Sequence, residues 1–381
     1  MRPAIAIGNY DFRSSGTVAK SIEIAAAAAQ AGLPVELWVV RKSGELLPRV
    51  PANVPIVAIA RGKALTGRGT DLVLSLPRFA HAIRRRNPAL LLSGGNHFHH
   101  ASRVALDLSG RRSDTRLLLR ASNSTQRMDR SPEKVAQKVR GKFAGADGII
   151  AVAQELGTEL RDAGVETDIA VIPNGVDLDR VEQLAQAPFD HPFLRSGLPV
   201  LVSMGRLAPQ KGFDMLIRAL ARLRESRDAR LLLIGNGKAD QRAELETLAA
   251  EEGVADAVDL LGFRDNPFAI LSRADLFVGG SRWEGASNTL IEALACGLPL
   301  AVTECPTGNR EVVERGPYGT LAPVDDVEAM ATAMACELTL RRDRQDQRDG
   351  ARHWSLDNCL ESWATLLARE YALAMAARAA G

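Results

Sequence analysis

Leu276-Phe277-Val278-Gly279-Gly280-Ser281-Arg282-Trp283-Glu284-Gly285-Ala286-Ser287-Asn288-Thr289-Leu290-Ile291-Glu292-Ala293-Leu294-Ala295-Cys296-Gly297 reads as a short apolar strand, a loop of small residues and a helix stopped by glycine. Glu284 falls in the strand-to-helix loop and Glu292 early in the helix. Between them small residues leave backbone N–H groups open at a helix start, where an anion is favoured. A polyhydroxylated ligand wants carboxylate acceptors and a phosphate wants free N–H groups; this segment offers both. Thr289-x-x-Glu292 also has the form of a capping box, which would make Glu292 a helix-start device.

Working outward, short β-rich apolar runs alternate with helix-like stretches from end to end, the signature of parallel α/β sheets. Strands are expected at 4–8, 35–40, 89–92, 115–119, 148–152 and 169–172. Helices are expected at 18–31, 71–86, 101–108, 132–143 and 155–163. The Pro-rich run Ala187–Pro192 reads as a linker. After it the pattern restarts, with strands at 199–204, 230–234, 258–261, 276–279, 299–303 and 319–321. The helices of this half are expected at 213–224, 240–252, 267–273, 289–295 and 327–340. The fold class is therefore α/β with two Rossmann-like parallel-sheet domains facing a central cleft. The domains are 1–172 plus 356–381, and 173–355. The alanine-rich helix Leu356–Ala377 is expected to pack across the cleft.

In open α/β sheets ligands bind beyond the carboxyl ends of strands. Gly205-Arg206-Leu207-Ala208-Pro209-Gln210-Lys211-Gly212 follows such a strand. Its glycine permits close backbone approach, its two cations lie five residues apart, and a helix start near Phe213 adds a positive dipole end. Arginine can fork two phosphate oxygens and lysine acts as a point charge, an arrangement suited to a diphosphate. Val171-Ile172-Pro173-Asn174-Gly175-Val176-Asp177 ends a strand in a turn. Gly235-Asn236-Gly237 is another strand-to-helix turn. No G-x-G-x-x-G or G-x-x-x-x-G-K-[ST] occurs, which disfavours dinucleotide and P-loop readings.

Taken in order, V-I-P-N-G-V-D at 171–177, G-R-L-A-P-Q-K-G at 205–212 and the E-x7-E spacing of Glu284 and Glu292 resemble the retaining glycosyltransferases of family 4, with the GT-B fold. The resemblance covers nearly the whole chain and is strongest from Val171 to Glu314. It implies that Arg206 and Lys211 hold a donor diphosphate, Glu284 bonds hydroxyls of the donor sugar, and Glu292 grips the nucleotide ribose. Gly205, Gly285, Ala286, Ser287, Asn288 and Thr289 would approach the donor through their backbone, and Phe263 and Arg264 would flank the base. The implied reaction moves a hexose or N-acetylhexosamine from a nucleoside-diphosphate sugar, UDP-linked by the look of the Cys305–Glu311 loop, to a saccharide hydroxyl with retention. No metal and no cofactor is implied beyond the sugar nucleotide as co-substrate.

The first half departs from the family pattern. Its first loop, Gly8–Thr17, has only Gly16 where relatives have a glycine pair. Arg120-Ala121-Ser122-Asn123 stands where many relatives carry a histidine. His97, Ser122 and Asn123 are the acceptor-side candidates, and loss of the acceptor-side base leaves a sugar-nucleotide-binding scaffold as the alternative reading. A phosphorylase is excluded, since no lysine follows Lys238 to carry pyridoxal phosphate.

The chain has 381 residues and a net charge of +2, but the halves differ: +10 through Ile172 and −8 beyond it. Arg84-Arg85-Arg86 and the basic stretch Arg127, Arg130, Lys134, Lys138, Arg140, Lys142 read either as solvated faces or as a dock for an anionic membrane carrying a lipid-linked saccharide. Nucleic acid is disfavoured because aromatics make up only 4% and do not interleave with the charges. No apolar run reaches the length of a membrane span, which implies a cytoplasmic protein, peripheral on the inner face of the membrane if that dock is used. The four cysteines, 296, 305, 336 and 359, form no C-x-x-C and read as reduced buried thiols.

Overall fold

The computed structural model describes residues 3–60, 62, 67–124 and 131–380. Arg127 and Arg130 of the basic stretch lie outside the described residues. The chain divides into two compact units: residues 1–152, 156–173 and 358–381, and residues 153–155 and 174–357.

The first unit carries β1 (Ile5–Asn9), α1 (Gly16–Gln30), β2 (Val35–Val39), β3 (Ile56–Ala58), α2 (Arg68–Arg86), β4 (Leu90–Ser93), α3 (His99–Ser109), β5 (Arg116–Ala121), α4 (Pro132–Phe143), β6 (Gly148–Ala151), α5 (Gln154–Asp162) and β7 (Ile169–Val171). Its sheet is parallel in the order β3-β2-β1-β4-β5-β6-β7.

The second unit carries α6 (Leu178–Ala185), β8 (Val200–Met204), α7 (Phe213–Arg224), β9 (Arg230–Ile234), α8 (Ala239–Glu251), β10 (Val258–Gly262), α9 (Phe268–Leu271), β11 (Leu276–Gly279), α10 (Asn288–Ala295), β12 (Leu300–Thr303), α11 (Asn309–Val313), β13 (Gly319–Ala322), α12 (Val327–Leu340) and α13 (Arg344–Ala351). Its parallel sheet runs β10-β9-β8-β11-β12-β13.

The unbroken apolar strands follow from burial on both faces. Along β9, Leu231 and Leu233 point into the core beneath α7 and α12, while Leu232 and Ile234 point into a second core with α10. The final helix, α14 (Leu356–Ala380), sends Cys359, Trp363, Leu367 and Ala374 into the first unit's core beside Ile5, Leu37 and Leu92. It is an integral layer of that unit.

Three expectations need correction. Ala187–Pro192 is not a linker: Phe189 packs on the second unit's core and His191 meets Asp259 at 2.9 Å. The short strand β3 and the polar helices α6, α11 and α13 were not expected. Cys296, Cys305 and Cys359 are buried free thiols, but Cys336 on α12 is exposed. Among the described residues, no helix is long and apolar enough to cross a membrane.

Candidate functional site

In the second unit, β8, β9 and β10 step outward in one direction and β11, β12 and β13 in the other. The reversal lies between β8 and β11, and a crevice is expected beyond their carboxyl ends. The loops that flank it are 205–212 and 280–287, and glycine lets them meet. A Cβ on Gly212, whose φ is +58°, would sit 2.0 Å from the Gly280 carbonyl oxygen. One on Gly235, φ +152°, would sit 1.6 Å from that of Gly205. The turn at 235–237 is thus a packing device: the Asn236 carbonyl accepts from Leu207 N–H at 2.9 Å, and its side chain accepts from Phe263 N–H at 3.2 Å.

Across this junction Lys211 Nζ donates to Glu284 Oε1 at 2.5 Å. Ser281 Oγ donates to the same oxygen at 2.7 Å, and Thr307 Oγ1 holds the Glu284 carbonyl. Glu284 is only 7% exposed, so its charge is compensated at short range. Arg206 is exposed, with its guanidinium 3.4 Å from Gln210 Oε1. Gln210 in turn donates to the Trp283 carbonyl at 2.7 Å. The two expected diphosphate ligands therefore differ: Lys211 is built in, and Arg206 projects from the surface of the same turn.

The α10 helix begins at Asn288, with Ser287 as its N-cap residue. Thr289 therefore lies inside the first turn, and the capping-box reading of Glu292 fails. Glu292 is half-buried about one turn into this helix. Gly285 and Ser287 are buried, while Ala286, Asn288 and Thr289 are partly exposed at the helix start. Asn288 Oδ1 accepts from Asn174 Nδ2 at 2.9 Å, which pins the V-I-P-N-G turn to this helix. Phe263, 63% exposed, and the exposed Arg264 lie beyond β10, on the far edge of the sheet's carboxyl end.

Two family models match the chain: one described as glycosyltransferase family 4 over residues 16–180, and one as glycosyl transferases group 1 over residues 198–339. The chain belongs to glycosyltransferase family 4. It is 32% identical over 192 residues to a lipopolysaccharide core biosynthesis glycosyltransferase, LpsE, of Rhizobium meliloti (strain 1021), covering 50% of this chain and 54% of that one. It is 33% identical over 249 residues to a GDP-mannose-dependent alpha-(1-6)-phosphatidylinositol monomannoside mannosyltransferase of Mycolicibacterium smegmatis, covering 62% and 59%. The chain thus spans little more than half the length of these two relatives. The crystal structure of a glycosyltransferase from Rickettsia africae ESF-5 superposes with a TM-score of 0.76 at 16% identity, over 98% of this chain and 99% of that one. The fold is GT-B.

In this family member the remaining expected residues lie in the first unit. Gly16 opens α1 behind the N-cap Ser15 and has open space around its Cα. His97 lies exposed beyond β4; crowding by the surrounding protein holds its pKa below the usual imidazole value, with Arg68 adding to the shift. Asn96 joins the β4 and β5 loops, accepting from Ser122 N–H and donating to the Asn123 carbonyl, both at 3.2 Å. The acceptor-side candidates thus gather around one asparagine that the motif reading missed. His99 is a core residue, bonded to Ser93 Oγ at 2.8 Å, with its pKa driven down to about 3 by burial. Among the described residues no group of three His, Cys, Asp or Glu side chains is placed to hold a metal ion.

Arg282 was also missed. It ties α7 to the loop before α12, pairing with Asp214 and Asp325 at 2.7 Å each and donating to the Pro209 carbonyl at 2.5 Å. Those hydrogen bonds, Asp214's foremost, hold the guanidinium pKa far above its usual value. It fixes the loop immediately before Glu284. Its partners are 68 and 43 residues away in sequence, and no local spacing reveals them.

Proposed function

We propose that this family member transfers a hexose or N-acetylhexosamine from a nucleoside-diphosphate sugar to a saccharide hydroxyl, with retention and without a metal, in the assembly of a cell-surface polysaccharide or glycolipid. The supporting observation is the Lys211–Glu284 pair at the switch point. Among the described residues, the two hydrogen bonds to the Glu284 carboxylate fall on Oε1, which leaves Oε2 to accept from sugar hydroxyls. An ammonium has three donors and Glu284 takes one, so two remain for phosphate oxygens. Arg206 adds a forked donor, and the α10 N-terminus adds backbone N–H groups and its dipole. Charge that develops on the departing diphosphate then meets groups already in position. Glu292, one helix turn further on, is assigned to the ribose, and Phe263 and Arg264 to the base. On the acceptor side, the first-unit residues His97, Ser122 and Asn123 are assigned to the incoming hydroxyl, and Gly16 to backbone approach.

We assign the donor to UDP-sugars and test it against GDP- and ADP-sugars. Purified protein is melted with each nucleotide sugar, and the best ligand is then offered with saccharide acceptors. A raised melting point with neither transfer nor donor hydrolysis would instead favour the scaffold reading. Anomeric configuration of the product, read by NMR, tests retention, and chelator insensitivity tests the absence of a metal.

A lipid-linked acceptor at an anionic membrane is the second part of the reading. It is supported by α2, whose exposed side includes Val73 and Leu74 alongside Arg78, Arg84, Arg85 and Arg86. Exposed Lys134 and Lys138 on α4 add charge. Sedimentation with phosphatidylglycerol vesicles should fall when Leu74, Arg84 and Arg85 are replaced; unchanged sedimentation refutes the docking face.

A further inference from the structure

At the opposite end of the second unit's sheet, where β8, β11 and β12 begin, lies a cavity of about 590 Å3. Five arginines line it: Arg227, Arg273, Arg341, Arg342 and Arg344. They stand in the acidic half of the chain, so their gathering inverts the local sign of charge.

Two carboxylates share the cavity, and both are engaged. Glu337, 1% exposed, takes Arg342 in a bidentate pair at 2.6 and 2.8 Å and also accepts from Thr320 Oγ1 at 2.6 Å. Asp275 accepts from Val200 N–H at 2.8 Å. Three of the other guanidiniums, those of Arg344, Arg273 and Arg227, are held by neutral oxygens, which fix their direction without cancelling their charge. Arg344 donates to the carbonyls of Ser272 and Ala274, and Arg273 to those of Ala185 and Ala269. Arg227 lies 3.3 Å from the Thr339 hydroxyl. Arg341 closes α12 in the left-handed conformation, φ +44°, where glycine is the usual residue, and its side chain is exposed. The lining thus keeps three positive charges in excess of its acids, with Arg273 and Arg344 anchored on backbone carbonyls, in a space larger than one phosphate needs.

We propose that this cavity binds a phosphate-bearing small molecule the size of a sugar phosphate or a diphosphate, at a site distinct from the donor crevice. Planar forked donors match phosphate oxygens in pairs, and preorientation by neutral carbonyls removes ordering cost from binding. The five residues of β8 separate this cavity from the carboxyl-end loops by roughly 16 Å, too far for one diphosphate to bridge both.

Sodium pyrophosphate is the probe, titrated calorimetrically into the full chain. Two classes of site are expected. Arg206→Ala should remove or weaken the first. Arg227→Ala with Arg341→Ala should weaken the second at least tenfold and leave UDP binding and sugar transfer unchanged. Arg206 and Arg341 are exposed and Arg227 is half-buried, and melting points within a few degrees of the parent confirm that the variants fold. If R227A/R341A leaves both the affinity and the stoichiometry of the second class unchanged, the site does not exist. If R227A/R341A instead abolishes sedimentation with phosphatidylglycerol vesicles while the calorimetry is unaltered, the arginines serve a lipid surface and the small-molecule site is refuted. Failure of the donor-site reading shows separately, as insensitivity of the first class to Arg206→Ala.

Discussion

Arg206 and Lys211 are expected to serve the same diphosphate but are held so differently that their alanine variants should fail in different ways. Arg206 is exposed, and its contact with Gln210 is long, at 3.4 Å. Removing it should change stability by no more than about 0.5 kcal/mol, the usual range for surface positions. A charge-assisted hydrogen bond to phosphate contributes about 1.5–3 kcal/mol, so UDP affinity and kcat/KM should fall roughly ten- to hundredfold. Lys211 is different. Its side chain is 16% exposed and its partner's 9%, at 2.5 Å. Breaking a buried pair costs about 3–5 kcal/mol; Ser281 still bonds the same carboxylate oxygen, so the lower end of about 3 kcal/mol applies. For a unit of this size that corresponds to a melting point lower by about 6–12 °C, along with lost catalysis. Melting curves and UDP calorimetry on the two variants separate the effects. Parent-like UDP affinity in Arg206→Ala would refute the diphosphate assignment. A parent-like melting point in Lys211→Ala would refute the structural role of the pair.

Gly235→Ala, which would drive a Cβ to 1.6 Å from the Gly205 carbonyl, should destabilise the second unit by about 2 kcal/mol or more in urea unfolding and weaken UDP binding with it. Gly16→Ala has open space and an ordinary helical backbone, so it should leave stability unchanged or raise it by up to about 1 kcal/mol; reduced donor affinity without a stability change would locate the donor against this backbone. Trp363→Ala on α14 should cost the first unit about 3–5 kcal/mol, measured by chemical denaturation. His99 is buried neutral, with its pKa near 3 against 6.5 when unfolded, so the unfolded chain binds the extra proton between those values. Stability of the first unit should therefore be complete above pH 6.5 and fall by up to about 1.4 kcal/mol per unit as pH drops toward 3. His99→Phe should flatten that slope, and an unchanged slope would show that other groups carry it.

What the sequence revealed and what it hid follow one physical line. β8, β9 and β11 are legible because both faces are covered, which makes each an unbroken apolar run. Lys211 and Glu284 are legible because each sits in a glycine-marked loop just past such a run. β3 is wholly apolar but only three residues long and half-exposed, too short a run after Pro55 to stand out as a strand. Helix α13 buries only Gln347 and Ala351 and shows no periodic stripe, although its N-cap Asp343, which accepts from Gln345 N–H at 2.6 Å, was a usable signal. Helix α6 was masked by the turn before it, whose last residue, Asp177, is its N-cap. Arg282 with its two aspartates, and the arginines around Glu337, are assembled by topology alone; single-segment patterns carry no trace of them.

The place of α14 has a consequence for synthesis. The seven strands of the first unit all leave the ribosome before residue 175, yet Cys359, Trp363 and Leu367, which cover part of that sheet, emerge only after the second unit. An apolar face must wait, open to water and to chaperones, for the entire second unit to be translated. Any nonsense mutation or proteolytic cut just before Trp363 would therefore damage the first unit, whose strands are made earlier, and spare the second.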